Sequence, residues 1–309
     1  MNERITGAAY AAGWKLVRVL PGKPVLALFR TGAGWFAGRG GAGPRRLSAN
    51  LRRVVPDASE AELADLTKRG LQSYARYWHE AFRLPDWSHE EIQRRFVLEN
   101  ASLLDDAVAR GHGALVALPH AANWDLAGAW ATIHGIPVTT VAERLKPEDL
   151  YQRFLSFRRA LGMEILPLTG GGRPPLDVLT ERVREGRVVV LLADRDLSAR
   201  GVEVDFFGER TKMPAGPAVL ALRTGAPLFG LALWNDGPIT RARLIPVPVE
   251  ADPTDEHHRD PERVAAVTQL VADALASGIA EHPVDWHMLQ PLWLADLPPR
   301  RRRTAAVAD

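Results

Sequence analysis

A histidine and an aspartate follow an apolar run in the stretch Ala114-Leu-Val-Ala-Leu-Pro-His120-Ala-Ala-Asn-Trp-Asp125. A histidine held by a carboxylate keeps one ring nitrogen protonated and the other free to act as a general base. The spacing predicts that a bend at His120 brings its imidazole over the Asp125 carboxylate. The helix that follows would offer N–H groups to a developing oxyanion. A His and an Asp five residues apart also occur by chance, and neither is then catalytic.

A second charged group, Asp194, Arg195 and Asp196, follows the apolar run Val188–Leu192. Ligands and catalytic groups of open α/β sheets gather at the carboxyl ends of strands, so we expect these side chains to face the same crevice as His120. The two carboxylates would bind sugar hydroxyls, and the guanidinium would bind a phosphate. The alternative is a local ion pair that only caps the strand.

Two further charged residues, Glu143 and Arg158, follow or face a predicted strand at Val138–Val141, and each is either a site residue or a surface residue. The chain has no cysteine, and the motifs G-x-S-x-G, H-E-x-x-H and G-x-x-x-x-G-K-[ST] are missing from it. We therefore expect neither a metal nor a cofactor. The simplest chemistry is direct transfer, in which His120 activates an acceptor hydroxyl that attacks a thioester.

Alternating strands and helices must position these side chains. The sequence predicts strands at Phe96–Leu98, Ala114–Leu118, Val138–Val141, Ile165–Leu168, Val188–Ala193, Val202–Phe207, Leu228–Trp234 and Ala242–Val247. It predicts helices from a capping box at Ser59 and Glu62 to Phe82, after Ser88, and at Leu103–Ala109, Asn123–His134, Pro147–Leu161, Leu176–Arg184, Ala215–Arg223 and Pro261–Ala280. This alternation is typical of an α/β fold, with a mostly parallel or mixed central sheet flanked by helices on both faces.

The N-terminal region is basic and aromatic. Up to Val55, the one acidic residue is Glu3, against ten lysines and arginines interleaved with tryptophan, phenylalanine and leucine. These charges interrupt every apolar stretch that could span a bilayer, and no signal-peptide pattern is present. We expect amphipathic helices on an anionic membrane surface. The alternative is that the aromatic residues pack on the protein's own core. Nucleic acid is a weaker interpretation, because no known binding motif accompanies the charge.

The predicted organisation has three parts. Residues 1–56 form a basic membrane-association segment, residues 57–298 an α/β catalytic domain, and residues 299–309 a basic, disordered tail. The lack of cysteine fits a reducing cytoplasm. We expect a monomer that does not bind nucleic acid.

Several motifs together give the chain a family resemblance. They are His120-Ala-Ala-Asn-Trp-Asp125, Ala193-Asp194-Arg195-Asp196, Phe206-Phe207-Gly208, Ala215-Gly216-Pro217-Ala218 and the stretch Pro283–Trp293. Their order resembles the bacterial lysophospholipid and lipid A late acyltransferase superfamily, and more closely the phosphatidylinositol mannoside acyltransferases of actinobacteria. The resemblance extends over nearly the whole chain. Lipid A enzymes commonly have glutamine where this chain has Arg195, which favours the mannoside branch.

The resemblance implies an activity. A fatty acyl group, usually palmitoyl, would pass from acyl-CoA to a mannose hydroxyl of phosphatidylinositol mannoside, on a peripheral protein at the cytoplasmic face of the inner membrane. His120 would be the base and Asp125 its partner. Contacts to donor or acceptor would come from Glu143, Arg158, Asp194 and Glu203. The alternatives are an acyltransferase for another glycolipid or lysophospholipid, and a non-catalytic membrane-binding protein that sequesters acyl chains.

Overall fold

The computed structural model describes residues 17–142, 148–169, 172–196, 201–251 and 259–297. The strands are β1 (Phe96–Glu99), β2 (Ala114–Leu118), β3 (Val138–Ala142), β4 (Glu164–Pro167), β5 (Val188–Leu192), β6 (Val202–Phe206), β7 (Glu209–Met213), β8 (Leu228–Asp236) and β9 (Ile239–Val247). The helices are α1 (Gly22–Gly38), α2 (Ala42–Val54), α3 (Glu60–Arg83), α4 (His89–Arg95), α5 (Ser102–Ala109), α6 (Trp124–Ile133), α7 (Glu148–Ala160), α8 (Pro175–Arg184), α9 (Gly216–Thr224) and α10 (Pro261–Glu281). These elements agree closely with the predicted ones.

One seven-stranded sheet organises the fold, in the order β1-β9-β8-β2-β5-β3-β4. Strand β9 runs antiparallel to β8, and every other neighbouring pair in this sheet is parallel. The predicted α/β fold with a mostly parallel or mixed sheet is confirmed. The carboxyl ends of β2 and β5 are neighbours, so the two charged groups of the sequence meet at one edge.

Two hydrophobic cores cover the two faces of the sheet. Leu115 and Ala117 of β2 point into a core shared with α2, α3, α8, α9 and α10. Val116 and Leu118 point the other way, into a core shared with α4, α5, α6 and α7. Because successive side chains of a strand face opposite sides, a strand buried on both faces must be apolar throughout, as β2 is.

Strand β7 is absent from the prediction. Its sequence, Glu-Arg-Thr-Lys-Met, is mostly polar and carries no strand signal. It forms because a tight turn folds it back on β6 as an antiparallel hairpin outside the main sheet. The turn residues Phe207 and Gly208 both have positive φ, 52° and 77°, which suits a two-residue hairpin turn.

The N-terminal helices contact the rest of the chain to different extents. Helix α2 inserts Leu47 and Leu51, both fully buried, into the core beside α3. Helix α1 packs along α3 but leaves Leu28, Trp35 and Phe36 largely exposed. The division of the chain at residue 56 and the nature of the tail stay predictions, and the tail lies outside the described residues.

One described helix, α10, is long and apolar enough to cross a membrane by length and composition. Half of its apolar stretch is buried inside the protein. Its residues Val271, Leu275 and Ile279 lie in the hydrophobic core, and the helix packs against β6 and β8. These contacts are those of a core helix.

Candidate active site

His120 forms a pair with Asp194 at the carboxyl edge of the sheet. Its Nδ1 lies 2.7 Å from Asp194 Oδ1, and its backbone N–H donates to Asp194 Oδ2 at 2.9 Å. The Asp194 side chain is fully buried, whereas a quarter of the His120 side chain is exposed. Asp194 therefore holds the imidazole at Nδ1, while part of the side chain stays exposed.

The electrostatics of Asp194 favour a charged carboxylate. Burial on its own raises the pKa of Asp194, but the nearby His120 and the N–H donors outweigh burial and hold the pKa below its usual range. An ionised Asp194 accepts the Nδ1 proton of His120, which leaves the lone pair of Nε2 free. This tautomer is the one that a general base needs.

The predicted pairing of His120 with Asp125 is wrong. Asp125, buried in the first turn of α6, accepts a hydrogen bond on Oδ1 from Arg158 Nε at 2.7 Å and on Oδ2 from the Tyr77 hydroxyl at 3.0 Å. Its side chain therefore bonds to residues of α3 and α7 and not to His120. Asp125 thus links three helices.

The pKa shifts of the residues around Asp125 indicate a buried ion pair between Asp125 and Arg158. Burial lowers the pKa of Arg158, but Asp125 and Tyr77 more than reverse that effect and the pKa is raised. Burial, followed by the Asp125 charge, raises the pKa of Tyr77 well above its ordinary value. Arg158, predicted as a contact to donor or acceptor, is thus engaged by Asp125.

The side chain of Trp124 stands between His120 and an apolar cavity. Its ring meets the imidazole edge-on, with 5.5 Å between centroids, and stacks on Tyr77 at 4.0 Å. The cavity has a volume of about 50 Å³ and an almost wholly apolar lining. Its walls include Phe96, Leu118, Trp124, Ala131, Val190 and Leu244. Trp124 therefore links the histidine to an apolar space.

The remaining predicted residues are placed differently from one another. The Asp194 side chain is fully buried and both its oxygens accept hydrogen bonds from the protein, so it exposes no oxygen to a sugar hydroxyl, contrary to expectation. Asp196 accepts the Gly201 N–H at 2.9 Å. Glu203, on β6, lies 3.5 Å from Arg210 in the hairpin, and no described contact brings it to His120. Glu143 lies outside the described residues.

Arg195 places a cation at this edge. Its Nε is buried and has no hydrogen-bond partner among the described residues. Burial raises the pKa of Tyr74, and the charge of Arg195 opposes that rise, so the guanidinium lies near this phenol. The alternative interpretation, an ion pair that caps the strand, is not formed with Asp194, whose oxygens accept hydrogen bonds from His120 and Trp286. A buried donor without a partner is rare and is typical of a ligand site.

Sequence reasoning missed one residue of the site, Trp286. Its indole Nε1–H donates to Asp194 Oδ2 at 3.0 Å, and the side chain is fully buried. Trp286 follows α10, 92 residues after Asp194 in the chain. No local pattern signals this contact, and the stretch Pro283–Trp293 stood out only through the family resemblance.

No cluster of metal-ligating side chains is found in the part of the chain that the structure describes. The expectation that the protein uses neither a metal nor a cofactor stays a prediction.

Comparison with known proteins identifies the family. Residues 2–295 match the family of bacterial lipid A biosynthesis acyltransferases. The chain belongs to this family. The match covers almost the full chain, including both strands that carry His120 and Asp194.

Two relatives sharpen the comparison within the lipid A acyltransferase family. A protein of Mycolicibacterium smegmatis named phosphatidylinositol mannoside acyltransferase is 48% identical over 302 residues, which are 98% of this chain and 96% of that protein. A protein of Mycobacterium tuberculosis with the same name is 50% identical over 304 residues, 98% of this chain and 93% of that protein. The resemblance inferred from the motifs is confirmed, and the chain is an acyltransferase.

Proposed function

We propose that this acyltransferase moves a fatty acyl group, palmitoyl, from acyl-CoA to a mannose hydroxyl of phosphatidylinositol mannoside, with His120 as the general base. One observation carries the proposal: His120 pairs with the buried Asp194 and contacts Trp124, whose side chain also lines an apolar cavity, in a chain that is about half identical to proteins named for this activity. A cavity for an acyl chain and a base for a hydroxyl are the two parts that such a transfer needs.

In the proposed step, His120 Nε2 takes the proton of the bound mannose hydroxyl. The hydroxyl oxygen attacks the carbonyl carbon of the thioester, the C–S bond breaks, and the thiolate of CoA leaves and takes up the proton from His120 Nε2, which restores the base. Asp194 holds Nδ1–H and stabilises the imidazolium that forms during attack. A base placed in this way contributes roughly 100- to 10,000-fold to the rate.

We propose that the acyl chain enters the cavity beside Trp124. Its volume of about 50 Å³ holds only a few carbon atoms, so the long chain must displace side chains between α6 and the sheet. The apolar walls favour the chain through the hydrophobic effect. The thioester would then lie at the mouth, next to the imidazole.

Transfer is proposed to be direct, with donor and acceptor bound together. The chain has no cysteine and no serine in a nucleophile elbow. An imidazole paired with a carboxylate is suited to taking a proton from a hydroxyl. Initial rates measured with both substrates varied should give intersecting double-reciprocal plots. Parallel plots together with a competent acyl-enzyme would contradict this route.

Arg195 is the proposed phosphate contact. Its Nε is buried without a hydrogen-bond partner among the described residues, and the residue follows Asp194 at the edge where His120 lies. Both the donor and the acceptor carry phosphate groups, and a guanidinium suits them. Glu143, Asp196 and Glu203 are kept as predicted contacts to the substrates.

The protein is proposed to work as a peripheral monomer on the cytoplasmic face of the inner membrane. Leu28, Trp35 and Phe36 of α1 are 70%, 62% and 47% exposed. Arg39 lies over the Trp35 ring at 3.5 Å, so a basic group accompanies the apolar residues. An exposed apolar patch with basic residues suits the interface of an anionic bilayer.

The decisive experiment is incubation of the purified protein with radiolabelled palmitoyl-CoA and a panel of lipids, followed by chromatography. The panel holds phosphatidylinositol mannoside, phosphatidylinositol, another glycolipid and a lysophospholipid. We expect label on the mannoside, and none with His120→Ala. Label on the lysophospholipid or the other glycolipid alone would overturn the proposed acceptor. Acyl-CoA binding that needs no His120 and gives no product would indicate a binding protein.

A further inference from the structure

Residues 285–287, here called the C-terminal strap, cross the carboxyl end of β2 directly after α10. The Ala122 N–H donates to the Asp285 carbonyl at 2.9 Å, and the His287 N–H donates to the His120 carbonyl at 2.8 Å. Ala121 and Trp286 form the β-bridge between these two bonds. The strap therefore pairs with the main chain of the histidine loop as a short antiparallel strand would.

The loop that the strap holds is strained. Ala122 has a φ of 44°, in the left-handed region that residues with a β-carbon seldom adopt. Such a conformation persists only where the surrounding contacts determine it. Here the bond to Asp285 and the burial of Ala122 supply those contacts. The bend that places His120 thus depends on the strap.

The strap is itself anchored from its far side. The Asp285 carboxylate accepts the Asn235 N–H at 2.9 Å and the Asn235 amide at 2.6 Å, so β8 holds it. The Ser73 hydroxyl, on α3, also donates to this carboxylate and lies 2.9 Å from His287 Nε2. Ser73, Asp285 and His287 are all buried. Buried and bonded on both sides, the strap is a fixed element.

Trp286 connects this fixed element to the carboxylate of the site. Asp194 Oδ2 accepts two hydrogen bonds, from the Trp286 indole and from the His120 backbone N–H. These two donors settle the rotation of the carboxylate, so Oδ1 must face His120 Nδ1. Without the indole, Oδ2 would keep only the His120 backbone N–H, and His120 alone would set the rotation of the carboxylate.

We propose that the strap is the positioning device of the active site, and that Trp286 is the positioning residue that orients Asp194 toward His120. Trp286 touches no substrate in this account. It acts by keeping the His120–Asp194 hydrogen bond in one geometry. The proposal rests on the proposed function, because it assigns His120 the role of base.

The test compares Trp286→Phe with Trp293→Phe. Both indoles are fully buried, and their rings are 6.2 Å apart. Trp293 donates to the Phe206 carbonyl at 2.9 Å and has no described hydrogen bond to His120 or Asp194, so it is a matched control. We expect Trp286→Phe to lower kcat about 10- to 100-fold, the effect of losing one hydrogen bond to a charged group, with KM unchanged. Trp293→Phe should keep kcat within about twofold of wild type, even if both variants unfold at a lower temperature.

A spectroscopic readout separates orientation from packing. The proton between His120 Nδ1 and Asp194 gives a downfield NMR resonance, which we expect to shift or broaden in Trp286→Phe and to stay in place in Trp293→Phe. Equal kcat in the two variants, or an unmoved resonance in Trp286→Phe, would overturn the proposal.

Ser73→Ala covers the case in which Trp286→Phe fails to fold. This change loosens the strap on α3 and leaves Asp194 untouched, so kcat should fall by a smaller factor. Wild-type kcat in folded Ser73→Ala would then overturn the proposal. His120→Ala, measured in the same assay, distinguishes failure of the proposed base from failure of the positioning role. If His120→Ala retains activity, the proposed base is wrong. If His120→Ala is inactive while Trp286→Phe matches its control, only the positioning role is wrong.

Discussion

His120 and Asp194 occupy equivalent register positions beyond the ends of two neighbouring parallel strands. Leu118 of β2 is the register partner of Leu192 of β5, and each functional residue lies two positions further along its chain. Their side chains meet at 2.7 Å as a consequence. The pair is therefore fixed by the order of strands in the sheet.

The first prediction concerns the ion pair behind the site. Arg158→Met removes the partner of the buried Asp125 carboxylate, and we expect a loss of ~3–5 kcal/mol in unfolding free energy. Urea denaturation measures this loss. Arg173→Met is the control, because its ion pair with Glu181 is exposed on both sides and should contribute little to stability. Equal losses in the two variants would contradict the structural role assigned to Asp125.

A second prediction concerns stability in mild acid. Burial, followed by the charge of His120, lowers the pKa of His287 to about 3, from an ordinary 6.5. Below pH 6.5 the unfolded chain protonates His287 while the folded chain does not. The free energy of unfolding should therefore fall as the pH falls toward 3, by up to ~1.4 kcal/mol per pH unit from this group. Denaturation at several pH values should give a shallower slope for His287→Gln than for wild type, and an equal slope would count against the buried neutral imidazole.

The third prediction concerns membrane docking through α1. Replacing Trp35 and Phe36 by serine should weaken flotation with phosphatidylinositol-containing vesicles at least ~10-fold, because two aromatic anchors are lost. Leu168→Ser is the control, since Leu168 is 37% exposed but lies outside α1. Wild-type binding should weaken as salt is added. Binding that ignores the Trp35 and Phe36 changes would place the docking surface elsewhere.

A fourth prediction concerns the cavity. Ala131→Phe fills space between α6 and the sheet, so it should lower kcat/KM for palmitoyl-CoA ~10-fold or more relative to a short-chain donor such as octanoyl-CoA. Ala160→Phe, an exposed alanine on α7, is the control and should leave the ratio unchanged. A loss that is the same for both chain lengths would mean that the acyl chain lies outside this cavity.

The fold was predictable because its signals are local. Strands β2 and β5 are predicted by their own apolar runs. The start of α3 is predicted by the capping box of Ser59 and Glu62. Strand β7 was missed since its polar residues gain order only by pairing with β6.

The sequence predicted that the site lies at the carboxyl edge of the sheet, but it did not predict that His120 pairs with Asp194. His120 and Asp194 were both placed at the carboxyl ends of strands, yet Asp125 was chosen as the partner because it is near in the chain. Strand adjacency and the direction of the first turn of α6 decide the pairing, and neither can be derived from spacing. The Trp286 contact depends on where the chain returns after α10, which no short pattern encodes.

The turnover number of purified, folded Asp194→Asn tests the central claim most directly. Asparagine keeps the size of the side chain but removes the charge that selects the Nδ1–H tautomer and stabilises the imidazolium. With saturating palmitoyl-CoA and phosphatidylinositol mannoside, kcat should fall roughly 100- to 10,000-fold. A kcat within a few fold of wild type would contradict the account of His120 as a base oriented by Asp194.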